Sequence, residues 1–157
     1  MLSLVFAAAL ATLPLSPNPA LTPGWANPAI RQDNIQQTIC VKGYTAGDDA
    51  SGNSVRLVTA ALKRHIMQEY GVSRKDGPIE IDHRVPLEVG GSNDPRNLWP
   101  ETRQRIAYSA WDKDKLETHI HAEVCKGNLT LQQGQAIFLG DWKPAFDKYF
   151  GADQAGK

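Results

Sequence analysis

Ile79-Glu80-Ile81-Asp82-His83-Arg84-Val85-Pro86-Leu87-Glu88-Val89-Gly90-Gly91-Ser92-Asn93-Asp94-Pro95-Arg96-Asn97-Leu98-Trp99-Pro100-Glu101 is the stretch that decides the fold, because it combines strand alternation, a glycine turn and reactive side chains. Ile79, Ile81, Val85, Leu87 and Val89 fall on odd positions, so an extended chain turns them to one face and Glu80, Asp82 and Arg84 to the other. His83 breaks the pattern by standing on the apolar side. Gly90-Gly91 followed by Ser92-Asn93-Asp94-Pro95 is turn chemistry, and Asn97-Leu98-Trp99 opens a second extended segment. The expected element is a hairpin with Asp82 and His83 on its first arm and Asn97 at the start of its second.

On the C-terminal side of this hairpin, Leu116, Ile120 and Val124 recur at four-residue intervals and predict a helix with one apolar face, closed by Gly127. Thr130-Leu131-Gln132-Gln133 is a capping box opening another helix, whose apolar positions run through Phe138, Trp142, Ala145 and Tyr149 and which Pro144 kinks or restarts. On the N-terminal side, Ser54 caps a helix with Val55, Val58, Leu62, Ile66 and Tyr70 along one face, and Gly71 ends it. Gly43 to Asn53 reads as a polar loop, and Pro14 to Pro28 as a loose linker of proline and small residues. The fold class is therefore α+β: a small hairpin packed with three or four helices, forming one domain over 22–150 between a leader-like segment at 1–21 and a fraying tail at 151–157.

The string Asp-His-x-x-Pro-Leu-x-x-Gly-Gly-x-x-Asp-Pro-x-Asn-Leu resembles the core of the HNH endonucleases, the ββα-metal nucleases, and its Asn-Leu-Trp-Pro-Glu ending is similar to a small exported bacterial HNH-like group. The resemblance runs from Thr22 to about Trp142. It implies a ββα core and metal-assisted hydrolysis of a nucleic-acid phosphodiester to leave a 5′-phosphate. His83 would be the general base, Asp82 a metal ligand, and Asn97 the residue that fixes hairpin and imidazole by hydrogen bonds. A further ligand is implied on the following helix. Where related sequences often carry Asn, this chain has Ser109-Ala110-Trp111-Asp112, and Asp112 is the hard oxygen donor one turn on.

That chemistry suits these residue types. Phosphodiester hydrolysis needs a deprotonated water, for which histidine is the natural base near neutral pH, and a cation to offset charge on the phosphoryl oxygens. Oxygen ligands point to Mg2+ or Mn2+ rather than structural zinc. Arg84, Arg96, Arg103, Arg105 and Lys113 surround the hairpin in sequence and are expected to meet phosphates, of DNA in preference to RNA. The five bases Arg56, Lys63, Arg64, Arg74 and Lys75 outnumber the acids of their own segment. The alternative is a catalytically degenerate module of the same fold that binds nucleic acid or a protein in the cell envelope.

The 157 residues carry no formal net charge, which argues against a protein that coats nucleic acid through bulk charge. Leu4 to Leu13 has the length of a signal-peptide apolar region and is too short to span a bilayer; it lacks the usual positive start, and Ala9-Leu10-Ala11 offers one cleavage site, with later ones equally arguable. Two cysteines, Cys40 and Cys125, have no zinc-ribbon or Cys-x-x-Cys spacing. Behind a signal-like segment an even count favours one disulfide, the alternative being two buried thiols. Export to the periplasm or beyond is the expected location, with no membrane span in the mature chain.

Overall fold

A computed structural model describes residues 13–49 and 51–157; the signal-like stretch up to residue 12 lies outside the described residues. The architecture is α+β, with one two-stranded antiparallel hairpin and four helices among the described residues. Strand β1 (Ile79–His83) pairs with β2 (Leu98–Thr102) in a register that sets Asp82 opposite Trp99 and Glu80 opposite Glu101. Helices α1 (Ala60–Glu69), α2 (Ala110–Cys125), α3 (Leu131–Leu139) and α4 (Lys143–Phe150) surround it.

The first strand is shorter than its alternation suggests. Beyond Arg84, whose N–H still donates to Asn97 O, the ladder is replaced by the Asn97 side chain, and Pro86 has no N–H to offer a partner strand. Leu87–Val89 forms one 3-10 turn, which keeps Val85, Leu87 and Val89 buried without a strand. Gly90 ends that turn at φ +79°, and a Cβ on Gly91 would sit 1.8 Å from Val85 O, so both glycines of the turn are required. Asn97 closes a second 3-10 turn, Pro95–Asn97, and β2 begins one residue after it.

Helix α1 starts later than expected. Thr59, not Ser54, caps it by accepting the Leu62 N–H at 3.2 Å, because Ser54 is held in a bridge to Asp48 and Val55 N donates to Gly47 O. The capping box at Thr130 and Gln133 forms as its sequence implies, and Pro144 sits in the first turn of α4, so the chain restarts there. One further expectation is corrected. The proline-rich segment is no free linker: Thr22 is buried, Gly24 N donates to Arg96 O, Asn27 N to Gly90 O, and Ser92 N to Trp25 O. Near the chain end, Gly156 N donates to the Asp112 carboxylate at 2.9 Å.

The core lies between the hairpin loop and the helices. Val85 and Val89 meet Leu116, Ile120 and Val124 of α2, with Ile35, Ile39, Phe138 and Phe146 completing the cluster. Cys40 and Cys125 are joined, tying the N-terminal arm to the end of α2 across 85 residues of sequence. No described helix is long and apolar enough to cross a membrane.

Candidate active site

The last two residues of β1 bring two different environments together. His83 lies on the side of β1 that meets a cleft of about 310 Å³, whose walls include Arg56, Lys63, Arg74, Glu80 and Ile81. Among the described residues none of those three basic side chains makes an ion pair. The cleft wall thus carries three basic side chains without an ion pair, beside Glu80, which Arg103 engages.

The His83 imidazole is oriented by Asn93 and not by Asn97. Its Nε2 lies 2.9 Å from Asn93 Oδ1, while Asn93 Nδ2 donates to Val55 O at 2.9 Å. A carbonyl can only accept, so Val55 O fixes which way the amide faces and leaves Oδ1 toward the ring. Nε2 then carries the hydrogen, and in the neutral ring the lone pair is on Nδ1, 3.9 Å from Asp82 Oδ1. Asn97 is wholly buried and serves the backbone instead. Its Oδ1 accepts from Val85 N and Trp25 N, and its Nδ2 donates to Val85 O and Ser92 O. It holds the loop that holds Asn93.

On the other face of β1, Asp82 enters a buried cluster with Glu101, Lys113 and Glu117. The hairpin register makes Asp82 and Glu101 diagonal neighbours on one face, and α2 lays Lys113 and Glu117 over them one turn apart. Lys113, 1% exposed, sends its Nζ to Asp82 Oδ2 at 2.5 Å, to His83 O at 2.9 Å and to Glu117 Oε1, with Glu101 Oε2 at 3.9 Å.

One ammonium cannot neutralise three buried carboxylates, and the charges divide accordingly. Burial alone would raise Asp82, but the charge of Lys113, whose Nζ lies 2.5 Å from Oδ2, holds it well below the usual carboxylate range. Burial pushes Glu101 well above that range, helped by Asp82 and Glu117 and opposed by Lys113. Burial likewise pushes Glu117 up to about 8 against the pull of Lys113. Burial would lower Lys113, but Asp82, Glu117 and Glu101 together hold it well above its usual value. Burial thus drives Glu101 toward its neutral form, and neither of its carboxyl oxygens has a hydrogen-bond partner among the described residues.

The other expected site residues are placed differently. Asp112, one position before Lys113 and so about 100° around the helix, does not approach Asp82. Its buried carboxylate accepts the Tyr108 N–H at 2.7 Å and the Gly156 N–H, so it ties the N-terminus of α2 to the chain end. Arg84 is also structural, donating to Thr22 O at 2.7 Å and to Leu139 O. Arg96 pairs with Asp94 and lies 3.6 Å over Trp25. Arg103 binds Glu80 and Asp114 and lies over Trp111, as does Arg105.

The chain matches no protein family, no curated protein and no solved structure.

Two groupings bear on metal binding. Asp82, Glu101 and Glu117 are the hard oxygen donors that Mg2+ or Mn2+ take, but Lys113 Nζ stands between the Asp82 and Glu117 oxygens, with Glu101 3.9 Å away, so the residues as arranged do not fit a divalent ion. Cys40, Cys125 and His121 also converge, with ligand atoms within 4.8 Å of one another. The two sulfurs are bonded to each other and offer no thiolate, while His121 Nε2 faces Ile39 O at 2.9 Å.

Sequence reasoning missed Asn93, Glu101 and Glu117. Lys113 and Glu117 have the i,i+4 spacing of an ordinary solvated ion pair, and only the hairpin laid across them makes them interior. Asn93 sits in a run of turn residues, where an amide gives no separate signal.

Proposed function

We propose that this protein hydrolyses phosphodiester bonds of nucleic acid, with His83 as general base in the Arg56, Lys63 and Arg74 cleft. The observation that carries this reading is the imidazole whose tautomer is set by Asn93, located where unpaired positive charge lines the walls. The order of β1, β2 and α2 supports assignment to the ββα nucleases, as the Asp82-His83 and Asn97 motif implies. His83 Nδ1 takes a proton from water as that water's oxygen bonds to phosphorus. The guanidinium and ammonium groups of the cleft meet the phosphoryl oxygens as charge grows on them. The P–O bond to the leaving 3′ oxygen breaks, and that oxygen takes a proton from solvent.

The test is cleavage of plasmid DNA and of RNA by purified protein beside His83→Ala. Losing a general base lowers turnover by roughly 10²- to 10⁴-fold. Wild-type-like cleavage by His83→Ala would remove His83 from the reaction. The second reading, a module that holds nucleic acid without cutting it, is favoured by Lys113 standing where the ββα nucleases would hold their ion. Nucleic-acid binding without cleavage by the wild-type chain would select it.

A further inference from the structure

We infer that Lys113 is the built-in cation of the Asp82, Glu101 and Glu117 site, and that the protein is closed to a divalent ion there. An ammonium has three N–H donors, and Lys113 has three acceptors in reach: Asp82 Oδ2, His83 O and Glu117 Oε1. Its donors are used up, and its charge is spent on Asp82. These acceptors come from both sides of the junction, the strand and the helix, as ligands of an ion between them would. A lysine 1% exposed is tolerated only when so paired, because an unpaired buried charge is very costly.

Mg2+ and Mn2+ sit about 2.0–2.2 Å from carboxylate oxygens, which places them at the point that Nζ occupies. Two cations cannot share that point, and Lys113 has no short route out. Its stem is enclosed, with Phe138 on one side and its ring centroid 5.9 Å from Nζ. Asp112, the other oxygen donor at the start of α2, already accepts two backbone N–H groups, from Tyr108 and Gly156. Lys113 thereby acts as a positioning residue: it bridges Asp82 to the backbone of His83 and locks the strand end that carries the base.

The readout is metal binding rather than turnover, so the outcome is separable from that of the hydrolytic reading. Mn2+ is titrated into the full chain and followed by electron paramagnetic resonance and by thermal melting, for wild type, Asp82→Asn, Lys113→Ala and Lys113→Met. The expected result is that wild type shows no Mn2+ binding that Asp82→Asn removes, and a melting temperature that does not respond to Mn2+. Lys113→Ala or Lys113→Met should gain at least ten-fold in Mn2+ affinity and melt higher with the ion, since a ligand bound only by the native state stabilises it. That gain should vanish in Lys113→Ala with Asp82→Asn. One tight Mn2+ site in wild type, lost in Asp82→Asn, would overturn the inference even if neither Lys113 variant folds. Folded Lys113 variants with no gain would overturn it as well.

Discussion

Replacing Asn97 by alanine should be among the most damaging single changes in this chain, and the structure gives the size of the effect. The side chain is fully buried and makes four hydrogen bonds, each 2.9–3.1 Å, to backbone groups of three separate segments. Alanine leaves Val85 N, Val85 O, Trp25 N and Ser92 O without this partner. An unsatisfied buried polar group costs about 1–3 kcal/mol. The two Val85 groups are buried and count in full, whereas water can reach the partly buried Trp25 and Ser92 ends and offset some of theirs. The expected loss is about 4 kcal/mol, which for a chain of this length is a fall in melting temperature of roughly 8–16 °C. Urea unfolding at 25 °C, with the midpoint read by tryptophan fluorescence, measures it. Asn97→Asp should not rescue: its second oxygen would face Val85 O and Ser92 O, where only a donor is accepted. A loss below about 1 kcal/mol for Asn97→Ala would refute the assignment of Asn97 as the clasp between the N-terminal segment and the hairpin loop.

Reducing the Cys40–Cys125 bond opens a loop spanning 85 residues of sequence, which in the chain-entropy account removes about 4–5 kcal/mol; melting with and without reductant checks this, and an unchanged midpoint would dismiss a stabilising role. Glu117 gives a pH signature. Its folded-state pKa, about 8, is above the unfolded value of 4.5, so its contribution is fully present below pH 4.5 and is lost as pH rises toward and through 8. Asp82 has the opposite sign, with stability present above 3.8 and lost as pH falls. Glu117→Gln, which keeps an oxygen for Lys113 but cannot ionise, should therefore flatten the decline in melting temperature between about pH 5 and 8. An identical slope in wild type and Glu117→Gln would show that Glu117 is not the group responsible.

Several features of this protein are local, and the sequence determined them alone. The Thr130 and Gln133 capping box, the apolar face through Leu116, Ile120 and Val124, the glycine turn at Gly90-Gly91 and the restart at Pro144 each follow from residues within a few positions of one another. Local sterics and hydrogen bonding suffice for them. The pairing of Cys40 with Cys125 was legible from their even count, though not the reach of the bond. What only the tertiary structure decided is which face of α2 meets the hairpin. That choice buries Lys113 and Glu117 against Asp82 and turns Asp112 to the chain end, although all lie within two turns of one helix. Neighbouring helical positions differ by about 100°, so a rotation invisible to periodicity exchanges a metal ligand for a cap. Asn93 and Asn97 show the same division. Both are turn residues by sequence, yet one orients the imidazole and the other the loop, because Val55, Trp25 and Val85 arrive from distant segments to complete their hydrogen bonds.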